Sequence, residues 1–93
     1  MDSENNLDVR IFAAELRRDL PQLDLHGLTR GDIDTRIDQF LYECHERNQD
    51  SVRIIYGAGK GILQAETLKI LNKHPLVSGH KEGVGSCIVV LDI

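Results

Sequence analysis

Apolar residues follow two different periods along this chain, and the change of period marks its predicted elements. Near the amino terminus they recur at intervals of three and four residues, which predicts one face of an amphipathic helix that ends at Pro21. The predicted buried stripe of this helix comprises Val9, Phe12, Ala13, Leu16 and Leu20. We expect the helix to pack against the rest of the molecule as an amino-terminal appendage.

Beyond Pro21, short apolar segments typical of strands alternate with longer segments of helical period. We predict strands at residues 23–26, 51–56, 76–78 and 86–91, and helices at residues 29–48 and 62–73. Thr29 is the predicted N-cap of the first of these helices. Residues 80–85 are rich in glycine and polar side chains, which predicts a loop before the last strand.

The order β-α-β-α-β-β is typical of an α/β fold. We predict a two-layer α/β sandwich with a mixed four-stranded sheet, because βαβ units pair strands in parallel and the final hairpin adds an antiparallel pair. The last strand is apolar enough to be central, and the amino-terminal helix is expected to shield part of the sheet. The predicted organisation is a flexible tail at residues 1–6, the extra helix at 7–21 and the main domain at 22–93.

Composition narrows the classes of function. The chain has 93 residues, enough for one domain, and its net charge of −4 excludes a strongly basic, non-specific nucleic-acid binder. No apolar run approaches the roughly 18 residues of a membrane span, and the polar, acidic start lacks the features of a signal peptide. We therefore expect a cytoplasmic monomer.

Cys44 and Cys87 stand apart among apolar neighbours, which predicts buried, reduced thiols and no metal site.

The first predicted strand ends in the sequence Asp-Leu-His-Gly. The period of two along a strand places Asp24 and His26 on one face, and a carboxylate beside an imidazole fixes its tautomer and raises its basicity. This pairing suits a general acid–base catalyst. The same two residues are also typical of a strand end that only caps a loop or a helix start.

A glycine-rich turn, at residues 57–61, ends the second predicted strand. Gly57, Gly59 and Gly61 would leave backbone N–H groups open at the positive end of the following helix, which suits a phosphate, and Lys60 adds a cation there. The turn matches neither the P-loop nor the dinucleotide-binding pattern. A tight turn with no ligand is the alternative interpretation.

Both motifs end strands, and ligands of α/β sheets bind at the carboxyl ends of strands. If the two strands are neighbours, the motifs meet at one edge of the sheet. Arg30 follows the first motif closely and is a candidate for contact with backbone phosphate.

Taken together, residues 22–93 resemble the small MutS-related (Smr) domain family. Leu23-Asp24-Leu25-His26-Gly27 matches the opening motif of the family, Leu-Asp-x-His-Gly. The stretch from Tyr56 to Gln64 is similar to its turn His-Gly-Lys-Gly-x-Gly-x-Leu-Arg, and Gly83-Val84-Gly85 is a partial match to its Gly-Gly-x-Gly turn.

The resemblance implies a fold similar to the C-terminal domain of translation initiation factor 3, nucleic-acid binding and, in many members, endonuclease activity on DNA or RNA. It implies that Asp24 and His26 are catalytic and that Gly27 and the glycines of the turn approach the nucleic-acid backbone. The chain departs from the family at Tyr56, Ala58 and Gln64, where the family has histidine, lysine and arginine. Tyrosine can still donate a hydrogen bond to a phosphate, although it carries no positive charge at neutral pH.

Three hypotheses of function follow. The first is an endonuclease specific for single-stranded or structured nucleic acid, with RNA favoured over DNA, in which Mg²⁺ or Mn²⁺ is a conceivable cofactor. The second is a non-catalytic module that docks on nucleic acid or ribosomes. The third is a domain that binds a small nucleotide or a protein through the same turn.

Overall fold

A computed structural model describes residues 3–59 and 61–92 of the chain. The elements follow in the order α1 (Ser3–Leu16), β1 (Gln22–Asp24), α2 (Arg30–Glu46), β2 (Ser51–Ile55), α3 (Ile62–Lys73), β3 (Val77–Glu82) and β4 (Ser86–Leu91). After α1, this is the predicted β-α-β-α-β-β order. No helix in this part of the chain is long and apolar enough to cross a membrane.

The four strands form one mixed sheet in the order β1-β2-β4-β3. β1 and β2 are parallel, because α2 carries the chain back across the sheet, whereas β4 is antiparallel to both β2 and β3. The predicted mixed sheet, the parallel first pair and the central position of the last strand are therefore confirmed.

The main core lies between the sheet and the helices α2 and α3. Its helical side includes four residues of α2 spaced at one-turn intervals, Ile33, Ile37, Leu41 and Cys44, and its sheet side includes alternate residues of β2 and β4, namely Val52, Ile54, Cys87, Val89 and Leu91. Both cysteines are buried free thiols, as predicted. The helices cover one face of the sheet, which makes the molecule two-layered on that side.

Helix α1 covers part of the opposite face, where Ala14 packs with Leu20 and with Ile88 of β4. Its position confirms the predicted shielding, but its bounds and its buried face differ from the prediction. The helix spans Ser3–Leu16 instead of residues 7–21, so the predicted flexible tail is helical from residue 3, and residues 1–2 lie outside the described chain.

The stripe predicted to be buried in α1 faces solvent. Val9, Phe12 and Leu16 are 63%, 63% and 69% exposed, and only Leu20, beyond the helix, is buried as predicted. The helix has a second apolar stripe, and it is this one that faces the sheet: Leu7, Ile11 and Ala14. Periodicity detects a helix with two apolar stripes, but it cannot tell which stripe the sheet will cover.

The third strand is longer than predicted. β3 runs from Val77 to Glu82 instead of residues 76–78, and His80, Lys81 and Glu82 pair with β4 where a loop was expected. Two features explain why the sequence pattern does not predict the full length of β3. It is an edge strand with polar side chains, and a bulge between Val77 and Gly79 shifts its register.

Candidate functional site: the turn edge

The two parallel strands of the sheet, β1 and β2, end side by side. Asp24 at the end of β1 lies opposite Ile55 at the end of β2, so both chains leave the sheet at the same edge. The turn between β3 and β4 closes the same edge, because Ser86 pairs with Ile55. We call this region, formed by residues 25–28, 56–59, 61 and 83–85, the turn edge. The predicted convergence of the two sequence motifs is confirmed.

The first turn is shaped by Gly27. The N–H of Leu28 donates to the carbonyl of Leu25 over 3.0 Å, and Gly27 has φ +84°, as the third residue of a type II turn requires. Asp24 and His26 are exposed, whereas Leu23 and Leu25 are buried. The alternation predicted from the strand period therefore continues through His26, although β1 itself ends at Asp24.

The carboxylate of Asp24 binds the backbone of His26. Its Oδ1 atom accepts a hydrogen bond of 2.8 Å from the His26 N–H, and among the described residues the His26 ring makes no hydrogen bond to Asp24. The expected carboxylate–imidazole pair is thus not formed in this structure. Instead, Asp24 fixes the start of the turn, which sets the direction in which the exposed imidazole leaves the chain.

The second turn begins and ends with glycines in the left-handed region. Gly57 has φ +85° and Gly61 has φ +82°, and Gly61 is the N-cap of α3. No described side chain caps this helix start, so its first amides remain available to an anion. The residues of this helix start, from Gly61 to Gln64, line a cavity of about 160 Å³ that is also bounded by Tyr56, Gly57 and Gly59.

Tyr56 holds the β3–β4 turn against the glycine turn. Its side chain is only 4% exposed, and its hydroxyl lies 2.9 Å from the carbonyl of Ser86, to which it donates, and 3.3 Å from that of Gly83. The backbone N–H groups of Tyr56 and Gly57 both donate to the carbonyl of Gly85. The phenolic proton is therefore used inside the protein, and the expectation that it donates to a phosphate is corrected.

Arg30, next to the turn edge, is offset by an acid. Arg30 is exposed and lies 3.0 Å from Glu66, one turn into α3, so it bridges the starts of α2 and α3. Gln64 donates to Glu82 over 3.4 Å. Lys60 lies outside the described residues. No local pattern in the sequence predicts the Arg30–Glu66 pair, since its members are 36 residues apart.

Thr29 takes the predicted N-cap position of α2, with φ −83° and ψ 162°. Its hydroxyl donates to the Asp32 carboxylate over 2.9 Å and accepts no capping hydrogen bond from a backbone N–H of the helix. Within residues 3–59 and 61–92, no group of three or more histidine, cysteine, aspartate or glutamate side chains could hold a metal ion.

Comparison with known proteins gives the same family that the motifs suggest. The family model described as "Smr domain" matches residues 23–92. Endonuclease MutS2 of Clostridium perfringens strain 13 is 27% identical over 94 residues, which is 95% of this chain and 12% of the relative. Endonuclease MutS2 of Staphylococcus aureus is 37% identical over 65 residues, which is 70% of this chain and 9% of the relative. This chain therefore spans only a small part of the length of these relatives.

Two solved structures have a similar fold. The Smr domain of Thermus thermophilus MutS2 has a TM-score of 0.76 and 25% identity, covering 80% of this chain and 100% of that domain. YdaL, a stand-alone small MutS-related protein from Escherichia coli, has a TM-score of 0.81 and 17% identity, covering 98% of this chain and 77% of that one. With the family model matched from Leu23 to Asp92 and the motifs placed together at one edge of the sheet, the chain belongs to the Smr domain family.

Proposed function

We propose that the turn edge binds RNA through its phosphate backbone and cleaves it, with His26 as the catalytic residue. The observation that carries the proposal is the placement of an exposed imidazole at the end of β1, beside an uncapped helix start at the end of β2. The MutS2 relatives are named endonucleases, which supports cleavage over binding alone.

A phosphate at this edge would be held mainly by the backbone. The open turns at Gly27, Gly57, Gly59 and Gly61 allow close approach, because a Cβ at any of them would meet no atom within 4 Å, and the amides at the start of α3 supply partial positive charge. Arg30 adds a full charge beside them, and we assign the same role to Lys60.

Cleavage would use the nucleophile that RNA itself carries. The 2′-hydroxyl oxygen attacks the phosphorus, His26 accepts the hydroxyl proton, and the bond from phosphorus to the 5′-oxygen breaks. The departing 5′-oxygen takes a proton from water, the hydroxide so formed takes the proton from His26, and the products are a 2′,3′-cyclic phosphate and a 5′-hydroxyl. Asp24 acts as a positioning residue through the His26 amide, and no step requires a metal ligand.

Replacing His26 with alanine tests this proposal. We expect cleavage of a labelled single-stranded RNA to fall by about 10²–10⁴-fold while binding is retained, since the imidazole acts on the proton and not on the phosphate. His45→Ala is the matched control, because His45 lies in the last turn of α2, at the end remote from Arg30. Parallel assays with and without Mg²⁺ or Mn²⁺ test whether cleavage depends on a metal ion. An assay with a 2′-deoxy oligonucleotide tests whether the 2′-hydroxyl is the nucleophile. Unchanged cleavage by His26→Ala would exclude the catalytic role.

A non-catalytic docking module is the second candidate function. The observation that favours it is the balance of charge at the turn edge, where Glu66 neutralises Arg30 and uncharged Ala58 and Gln64 occupy the positions at which the family has cations. This candidate predicts salt-sensitive binding to RNA, free or in ribosomes, that weakens in Arg30→Ala and Lys60→Ala. Strand cleavage by the pure protein would rule it out.

A further inference from the structure

A second cavity lies on the face of the sheet that carries α1, beside the turn between β3 and β4. Its lining includes Arg53 of β2, Ser86 and Ile88 of β4, Lys81 of β3 and Glu15 of α1. The cavity has a volume of about 130 Å³, well below the roughly 300–1,000 Å³ of a pocket for a whole small molecule. It therefore suits a single group of phosphate size and not a complete nucleotide.

Arg53 is the cation of this cavity that has no partner among the described residues. The strand period turns its side chain away from the core residues Val52 and Ile54, so that it lies on the α1 face beside Ile88, its neighbour in register. Its Nε–H is buried and reaches no acceptor in the described part of the chain. A buried donor without an acceptor is unfavourable, and more so in a charged group, so this position favours a bound anion.

The acids that line the cavity are engaged elsewhere. Glu15 lies 3.1 Å from Lys81, so the charges of these two residues offset each other. The carboxylate of Glu82 accepts a hydrogen bond of 3.4 Å from Gln64 of α3, on the other face of the sheet. Arg53 therefore leaves the cavity with a positive charge that these acids do not pair.

The cavity lies on the same side of the sheet as the imidazole of His26. Asp24, Ile55 and Ser86 form the last row of the sheet before the turn edge, and Arg53 belongs to the next row on this face, about 7 Å away. The carboxylate of Asp24 is used by the His26 amide. Ser86 lines the cavity, and its hydroxyl is a further possible donor.

We infer that this cavity binds a second phosphate of the RNA strand, the one that flanks the phosphate held at the turn edge. The inference rests on the RNA binding proposed above, but not on cleavage. The guanidinium of Arg53 would donate two parallel hydrogen bonds to the phosphate oxygens, a geometry that suits arginine better than lysine. The strand crosses the turn edge from the start of α3 to the α1 face. Two anchored phosphates then determine which bond of the RNA faces His26.

The salt dependence of RNA binding tests the site. The probe is a labelled single-stranded 2′-O-methyl RNA, which lacks the free 2′-hydroxyl that cleavage requires. We expect Arg53→Gln to weaken its binding by about tenfold, because a charged hydrogen-bond donor is lost. The plot of log K against log salt concentration should become less steep by about 0.7, the contribution of one phosphate contact. Arg53→Lys keeps the charge and should keep the slope.

Arg47→Gln is the matched control, because it removes the same charge at the C-cap of α2, remote from both phosphate sites. Circular dichroism and urea denaturation confirm that each variant is folded. If Arg53→Gln and Arg47→Gln bind with the same affinity and slope, the inference is wrong, while RNA binding at the turn edge stands.

The Nε–H resonance of Arg53 reports on the cavity independently of cleavage. In ¹⁵N-labelled protein it is identified by its loss in Arg53→Gln, and we expect it to shift when the 2′-O-methyl RNA is added. A shift in a protein that cleaves no RNA would support this site and reject the catalytic role of His26. A shift with inorganic phosphate but not with the RNA would assign the cavity to a free anion and overturn the inference. A resonance that moves with neither probe would also overturn it.

Discussion

At the scale of single residues, the turn edge depends on two kinds of glycine. Gly61 has φ +82°, a conformation in which an L side chain is strained, whereas Gly59 has no positive φ. A Cβ at either position would meet nothing within 4 Å, so the two differ in backbone conformation and not in space. We expect Gly61→Ala to lower the free energy of unfolding by about 1–2 kcal/mol and Gly59→Ala to leave it nearly unchanged, as measured by urea denaturation. Equal effects of the two variants would contradict the role of the left-handed turn.

Tyr56 shows how a residue can match a motif position and have a different function. The sequence aligns it with a histidine of the family, but the structure buries it and directs its hydroxyl to the carbonyl of Ser86. Tyr56→Phe should lower the free energy of unfolding by about 1 kcal/mol, because it removes the buried hydroxyl's hydrogen bond to the Ser86 carbonyl, which then keeps only the Gly83 N–H as a donor. RNA affinity measured at fixed salt should stay within about twofold of wild type. A large loss of RNA affinity without loss of stability would indicate that Tyr56 does contact the phosphate.

At the scale of elements, the sequence predicted most of the architecture from hydrophobic period alone. Local patterns and the parallel pairing of successive strands were enough to predict the order of elements after α1, the ends of α3 and the meeting of the two motifs. They were not enough to predict which face of α1 is buried, how long β3 is, or that the Asp24 carboxylate binds a backbone amide. These features are set by contacts between residues distant in the chain, such as Leu7 with Gly79, or by a choice among equivalent hydrogen-bond donors.

The packing of α1 on β3 can be tested through that contact. Gly79→Ala would place a Cβ 3.1 Å from the end of the Leu7 side chain, so it should lower the free energy of unfolding by about 1 kcal/mol. In a Leu7→Ala background the space is open, and the same substitution should be neutral or stabilising, because alanine restricts the unfolded chain more than glycine does. Urea denaturation of the four proteins gives the coupling free energy, for which we expect at least about 0.5 kcal/mol. Additive effects would mean that the helix does not rest on Gly79.

At the scale of the whole molecule, burial makes stability sensitive to alkaline pH. Burial raises the pKa of the Cys87 thiol to about 12, and it also raises the pKa of Cys44 and of Tyr56 above their ordinary values. In the unfolded chain a cysteine thiol ionises near pH 8.5. Between that pH and about 12 the unfolded state therefore binds fewer protons than the folded state, and stability falls as the pH rises.

We accordingly expect the urea midpoint to stay level between pH 7 and pH 8 and to decrease between pH 9 and pH 11. Cys87→Ala should lower the midpoint at pH 7, because it removes a buried sulfur from the core, but it should also flatten the alkaline decrease, since the most strongly shifted thiol is gone. The comparison depends on the slope against pH and not on the absolute midpoint, so the lost packing does not obscure it. An alkaline decrease of equal steepness in Cys87→Ala would assign the effect to Tyr56 and Cys44, the other buried groups whose ionisation the fold opposes.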